Sequence, residues 1–146
     1  MVKYCELSQI IPREKLDEVF QTSKTVSAEC DYSFLGFEEV YKAATLFVPK
    51  NKVVIDFGCA YAFQSWYFRD YKKYIGVDCG VKPEDVLKTD NSEFFFMTIQ
   101  DFYRKSFPRL GYSLDDVFAI CSYVPDDNAR TLVRMCFPHC LIYYPT

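Results

Sequence analysis

Hydrophobic positions along this chain follow two rhythms that take turns. Short runs apolar at nearly every position read as buried strands: Val53-Val54-Ile55-Asp56, Lys73-Tyr74-Ile75-Gly76-Val77-Asp78, Phe94-Phe95-Phe96-Met97-Thr98-Ile99, residues 117–123, and Cys140-Leu141-Ile142-Tyr143-Tyr144. Between them the apolar residues recur at helical spacing. Leu16, Val19 and Phe20 share a face after Pro12, and Phe37, Val40, Tyr41, Ala44 and Phe47 share another. Phe63, Trp66, Tyr67 and Tyr71 follow the first strand, Val86 and Leu87 follow Pro83, and a short helix precedes Pro108 and Gly111. Ala129, Leu132, Val133 and Cys136 line a helix that Asp126 is placed to cap. Strands that are continuously apolar, alternating strictly with helices, are the mark of a mainly parallel sheet covered on both faces. The expectation is one doubly wound α/β domain over residues 1–146. Residues 1–34 form its N-terminal helical and loop extension, polar and irregular over 22–33, and 35–146 form its core.

Composition narrows the classes. The net charge is −3 over 146 residues, which disfavours a general nucleic-acid binder with its basic face. The longest apolar run is about five residues, too short to cross a bilayer. The N-terminal residues show no signal-peptide core, so the expected location is cytoplasmic. The seven cysteines form no C-x-x-C pair and are odd in number, which suits free thiols in a reducing compartment. Cys136-Phe137-Pro138-His139-Cys140 hints at a metal, but a fourth ligand is missing, and His139 reads as an ordinary residue at a strand start. Trp66 and the Phe94-Phe95-Phe96 run read as core.

The chemistry concentrates at strand ends. Asp56, Asp78 and Asp101 follow the first three strands, and a glycine bend, Phe57-Gly58-Cys59-Ala60-Tyr61-Ala62, follows Asp56. Any one of these carboxylates can simply cap the next helix. Three in register at the carboxyl edge of a parallel sheet point to a ligand there. Asp78 stands 22 residues after Asp56, the span of a strand, crossover and strand, which puts it where a carboxylate accepts both hydroxyls of a ribose.

The run Ile55-Asp56-Phe57-Gly58-Cys59-Ala60-Tyr61-Ala62, with Tyr74-Ile75-Gly76-Val77-Asp78 behind it, resembles the nucleotide-binding half of class I S-adenosylmethionine-dependent methyltransferases over roughly residues 35–145. The resemblance implies a Rossmann-like sheet in the order 3-2-1-4-5. It implies that Asp56 and the backbone of Gly58 and Ala60, with Tyr61 beside them, face the methionine portion of S-adenosylmethionine. Asp78 would hold the ribose, and Asp101 with Phe102 would border the adenine. A cationic sulfonium suits an acidic pocket, whereas a pyrophosphate would be repelled by Asp56. That argues against a dinucleotide fold, and no G-x-x-x-x-G-K-[ST] loop is present.

The chain departs from the family pattern in three places. Ala60 and Ala62 stand where the family usually has glycine, a substitution that suits a negative φ. The family's core usually continues past strand five with a helix and a hairpin, and this sequence stops at Thr146. The expectation is an open apolar edge at Leu141–Tyr144, covered by a partner chain in a homo-oligomer or by an N-terminal segment. The fourth strand ends Ser122-Tyr123-Val124-Pro125, with the aromatic and one proline but not the amide of amino-group methyltransferases. Ser122 and Tyr123 are the candidate catalytic residues, although Tyr123 reads equally as strand-end packing. Asp126 and Asp127 read as helix caps. The expected function is therefore methyl transfer from S-adenosylmethionine to an unidentified acceptor. The rival is a non-catalytic relative that serves as a binding or assembly module.

Overall fold

The computed structural model describes residues 38–144. The expected extension over residues 1–34, its helix after Pro12, its loop over 22–33, and Cys5 and Cys30 lie outside the described residues. Within them, helix α1 (Glu38–Phe47) leads into strand β1 (Val53–Phe57), a 3-10 helix (Phe63–Phe68) and β2 (Lys73–Val77). A 3-10 turn (Pro83–Asp85) precedes β3 (Ser92–Phe95), and helix α2 runs over residues 99–110 with a π-type segment at Phe102–Ser106. A further 3-10 turn (Leu114–Asp116) enters β4 (Val117–Ser122), and α3 (Asp127–Cys136) connects it to β5 (Cys140–Tyr143). The five strands form one sheet in the order 3-2-1-4-5, and every pairing is parallel. This is the α/β architecture that the alternation of rhythms predicts.

Side chains alternate across β1, so its two faces build two cores. Val53, Ile55 and Phe57 pack with Phe102, Phe107, Val133 and Phe137 from α2, α3 and the residue after α3. Val54 packs on the other face with Tyr41 and Ala44 of α1, and with Phe68, Tyr71 and Tyr74. Asp56 takes the next position on that second face. Ring-to-ring contacts at 5.4 and 5.7 Å set Phe57 against Phe137 and Phe102, and such pairs add about 1 kcal/mol each beyond the area they bury.

Two elements differ from the sequence expectation. The crossover after β1 is a six-residue 3-10 helix, where the periodicity predicts an α-helix over 63–71. Its aromatic-rich sequence has weak helix propensity. It also turns Gln64 and Ser65 inward, where they bond to Asp56 and to the carbonyl of Leu87. Phe63 and Phe68 are buried while Trp66 and Tyr67 are half-buried, with the Arg69 guanidinium 4.4 Å above the Trp66 ring. Strand β3 begins and ends earlier than its apolar run, because Thr98 already caps α2 by accepting from the Asp101 N–H at 3.1 Å. Its phenylalanines are correspondingly less covered than core residues, and Phe96 is 36% exposed. No helix among the described residues is long and apolar enough to cross a membrane.

Gly76 in β2 shows how closely the second face is packed. A Cβ there would lie 2.6 Å from the Phe94 ring and 2.9 Å from the Cys59 sulfur. Gly76→Ala is expected to lower unfolding free energy by about 1–3 kcal/mol through overpacking, read from urea denaturation as a lower midpoint at unchanged slope.

Candidate functional site

Parallel strands that end along one edge leave their last residues and following loops facing a common space. Here that space is a cavity of about 410 Å³, within the size range of small-ligand sites. Gly58 and Ala60 contribute from the end of β1, residues 77–79 from β2, residues 97–100 from β3 and residues 122–126 from β4, with Tyr41 of α1 and Ala129 of α3 beside them. Among the described residues the lining carries two carboxylates, Asp78 and Asp126, and no lysine, arginine or histidine.

The bend after β1 sets the wall of this cavity. Gly58 and Cys59 both donate to the Val77 carbonyl, at 2.8 and 3.2 Å, which draws the bend over the end of β2. Gly58 has φ +78°, and a Cβ on it would meet Val124 at 2.7 Å, so glycine is needed there both for conformation and for space. Ala60 and Ala62 adopt φ of +50° and +59°, the left-handed region, and not the negative φ at which alanine readily replaces glycine. They therefore keep the backbone course that glycine would take, at a cost of about 1–2 kcal/mol each. The bend points the Ala60 N–H at Asp78 Oδ2, 2.9 Å away, while the Gly80 N–H reaches Asp78 Oδ1 at 2.7 Å. Asp78 is thus fixed by both oxygens at the cavity rim.

The adjoining wall comes from β4, the neighbour of β1 in the sheet. Ser122 is 4% exposed, and its hydroxyl has no hydrogen-bond partner among the described residues. Tyr123 takes φ +59° and donates its N–H to the Tyr143 carbonyl at 2.8 Å, which turns the chain out of the strand. Arg130 braces this turn: it donates to the Val124 carbonyl, pairs with Asp127 at 3.1 Å and lies 4.4 Å over the Tyr144 ring. Asp126 caps α3 through the Asn128 N–H at 2.9 Å and accepts from the Gln100 amide at 3.2 Å. The Gln100 bond, then the backbone donors of the helix start, hold its carboxyl below the usual range.

Five sequence candidates therefore meet at one cavity: Gly58, Ala60, Asp78, Ser122 and Tyr123. The other four are placed elsewhere. Tyr61 packs its ring near Phe63, at 6.1 Å. Phe102 is fully buried in the core formed with α2 and α3. Asp101 points outward at the first turn of α2, where Arg104 at 3.0 Å and Lys105 at 3.7 Å hold its pKa down. Asp56 is fully buried beneath the cavity, and its oxygens accept from Tyr74 Oη at 2.5 Å, Gln64 Nε2 at 2.7 Å and Tyr41 Oη at 3.2 Å. At the third strand the cavity takes Thr98 and Gln100 in place of Asp101. Thr98-Ile99-Gln100-Asp101 has the T-x-x-D form of a helix start. That pattern carries the signal that would have put Asp101 on the outer face. Tyr41 carried no such signal, since its role depends on α1 crossing the end of β1.

Burial raises the Asp56 carboxyl to about 6, against the lowering effect of its three hydrogen bonds. Between about pH 4 and 6 the folded state holds a proton that the unfolded state releases. The contribution of Asp56 to stability is thus complete below about pH 4 and is lost as pH rises through about 6. A displacement of that size corresponds to about 3 kcal/mol. Asp56→Asn is expected to flatten the stability profile across this window, measured by urea denaturation from pH 4 to 7. Comparisons with family models, with curated proteins and with solved structures return no match.

Proposed function

We propose that this chain binds S-adenosylmethionine and transfers its methyl group to an acceptor. The observation that carries the reading is Asp78, held at the end of β2 by the Ala60 and Gly80 amides over a cavity whose charged groups are all acidic. Each Asp78 oxygen spends one lone pair on a backbone donor and keeps another for a ligand hydroxyl. A lining that is acidic and holds no cation among the described residues favours a ligand of positive charge and works against phosphates. The unpartnered Ser122 hydroxyl supplies a buried polar contact that a ligand would satisfy.

In this reading Asp78 holds the ribose hydroxyls, the Gly58–Ala60 bend lies against the methionine end, and the Gln100 amide replaces Asp101 toward the adenine. The bound group supplies an electrophilic methyl on a sulfonium. The task left to the chain is alignment, since an in-line displacement gains most from proximity and orientation. Ser122 and Tyr123, beside the bend in the cavity lining, are the residues suited to orient an acceptor.

A non-catalytic binding module is the second reading, favoured by the outward position of Asp101 and by the sealing of Asp56 beneath the cavity. Calorimetric titration with S-adenosylmethionine and S-adenosylhomocysteine tests the proposal. Wild type is expected to bind both. Asp78→Ala should weaken binding at least about tenfold, the loss of a charge-assisted bond pair, whereas Asp101→Ala should change it less than twofold. No binding to wild type, or binding that survives Asp78→Ala, overturns the assignment.

A further inference from the structure

Asp56 occupies an unusual position for a charged group. It is fully buried, and its partners come from three elements: Tyr41 of α1, Gln64 of the 3-10 helix and Tyr74 of β2. All three are neutral donors. The other titratable groups whose charge acts on it or responds to it are Cys59 in the bend, Cys121 on β4 and Asp78 at the end of β2. Burial pushes both thiols upward, so they stay protonated, and Asp78 adds to the negative charge. Among the described residues no lysine, arginine or histidine forms an ion pair with Asp56.

A buried carboxylate without a counter-charge is costly, and its ionised form gains from any cation that comes near. The network reaches the cavity through Tyr41 and the bend. Tyr41 donates to Asp56 and also lines the cavity. Gln64 donates both to Asp56 and to the carbonyl of Cys59, in the bend that forms the cavity wall. The carboxylate is thus one hydrogen-bonded residue, Tyr41, removed from the cavity lining, in surroundings where water screens little.

We propose that Asp56 is a specificity-determining residue that senses ligand charge from beneath the cavity. A ligand carrying a positive centre binds the ionised form and displaces its proton to solvent, whereas a ligand of the same shape without that centre does not. This rests on the cofactor reading above and extends it to the difference between substrate and product. S-adenosylmethionine and S-adenosylhomocysteine differ by a methyl group and by the positive charge on sulfur. Once the methyl has left, the attraction to Asp56 goes with it, so product is held less tightly than substrate wherever Asp56 is ionised.

The test is calorimetry with both ligands at pH 5 and pH 7, in buffers of different ionisation enthalpy to count protons. S-adenosylmethionine is expected to bind about fivefold more tightly at pH 7 than at pH 5, with proton release near pH 5.5. This corresponds to a cation lowering the Asp56 pKa by about one unit. S-adenosylhomocysteine should change less than twofold. Asp56→Asn should remove the pH dependence of the first ligand. Should that variant unfold, a carbon-13 titration of the Asp56 carboxyl in wild type serves instead, its midpoint falling with S-adenosylmethionine and staying put with S-adenosylhomocysteine. Equal pH dependence for the two ligands overturns charge sensing and leaves the cofactor reading standing. Failure of both ligands to bind at either pH overturns the two together.

Discussion

The carboxylate of Asp56 is the point at which this fold is tied together. It sits at the next-to-last position of the central strand, and it takes hydrogen bonds from a helix, a 3-10 crossover and the neighbouring strand. A carboxylate buried this deeply is costly unless its oxygens are hydrogen-bonded. The positions of α1, of residues 63–68 and of β2 are therefore not independent. Tyr41 must lie across the end of β1, and Gln64 must turn inward, which is why the crossover gives up α-helical form. The same demand brings the bend at Gly58 against β2 and β4, and with it the geometry of the cavity wall.

That bend is built with less glycine than its backbone angles require. Gly58 alone has the freedom and the clearance its position calls for. Ala60 and Ala62 hold left-handed conformations nonetheless, and strain of this kind persists only where the surroundings over-determine it. The surroundings here are plain: the Val77 carbonyl receives two amides of the bend, and the Asp78 carboxylate receives a third. A methyl group at residue 60 is present in the cavity lining as a consequence.

The strand order and the parallel pairing were legible in the alternation of continuous apolar runs with helical spacing, because both signals reflect burial on two faces of one sheet. Asp78 was legible for a related reason: its distance along the chain from Asp56 is fixed by strand and crossover length, and its place at a strand end needs no side-chain detail. Asp101 and Phe102 were assigned to the cavity by analogy along the third strand. Their true directions depend on where α2 begins, and a shift of one residue around a helix turns a side chain by about 100°. Thr98 sets that start, so Gln100 faces inward and Asp101 faces out. Asp56 was placed correctly at the end of β1, but the face it takes and the partners that enclose it come from α1 and β2, which no local pattern records.

The aromatic end of β5 has a bearing on the cavity that its position at the sheet edge conceals. Tyr143 receives the Tyr123 amide, and Tyr144 lies beneath the guanidinium that holds the Val124 carbonyl. The loop beside the glycine bend is thus buttressed from the edge strand of the sheet. The shape of the recess wall at residues 123–124 therefore depends on the last strand as much as on the turn itself, so shortening the chain before Tyr143 would remove a support of the recess without touching its lining.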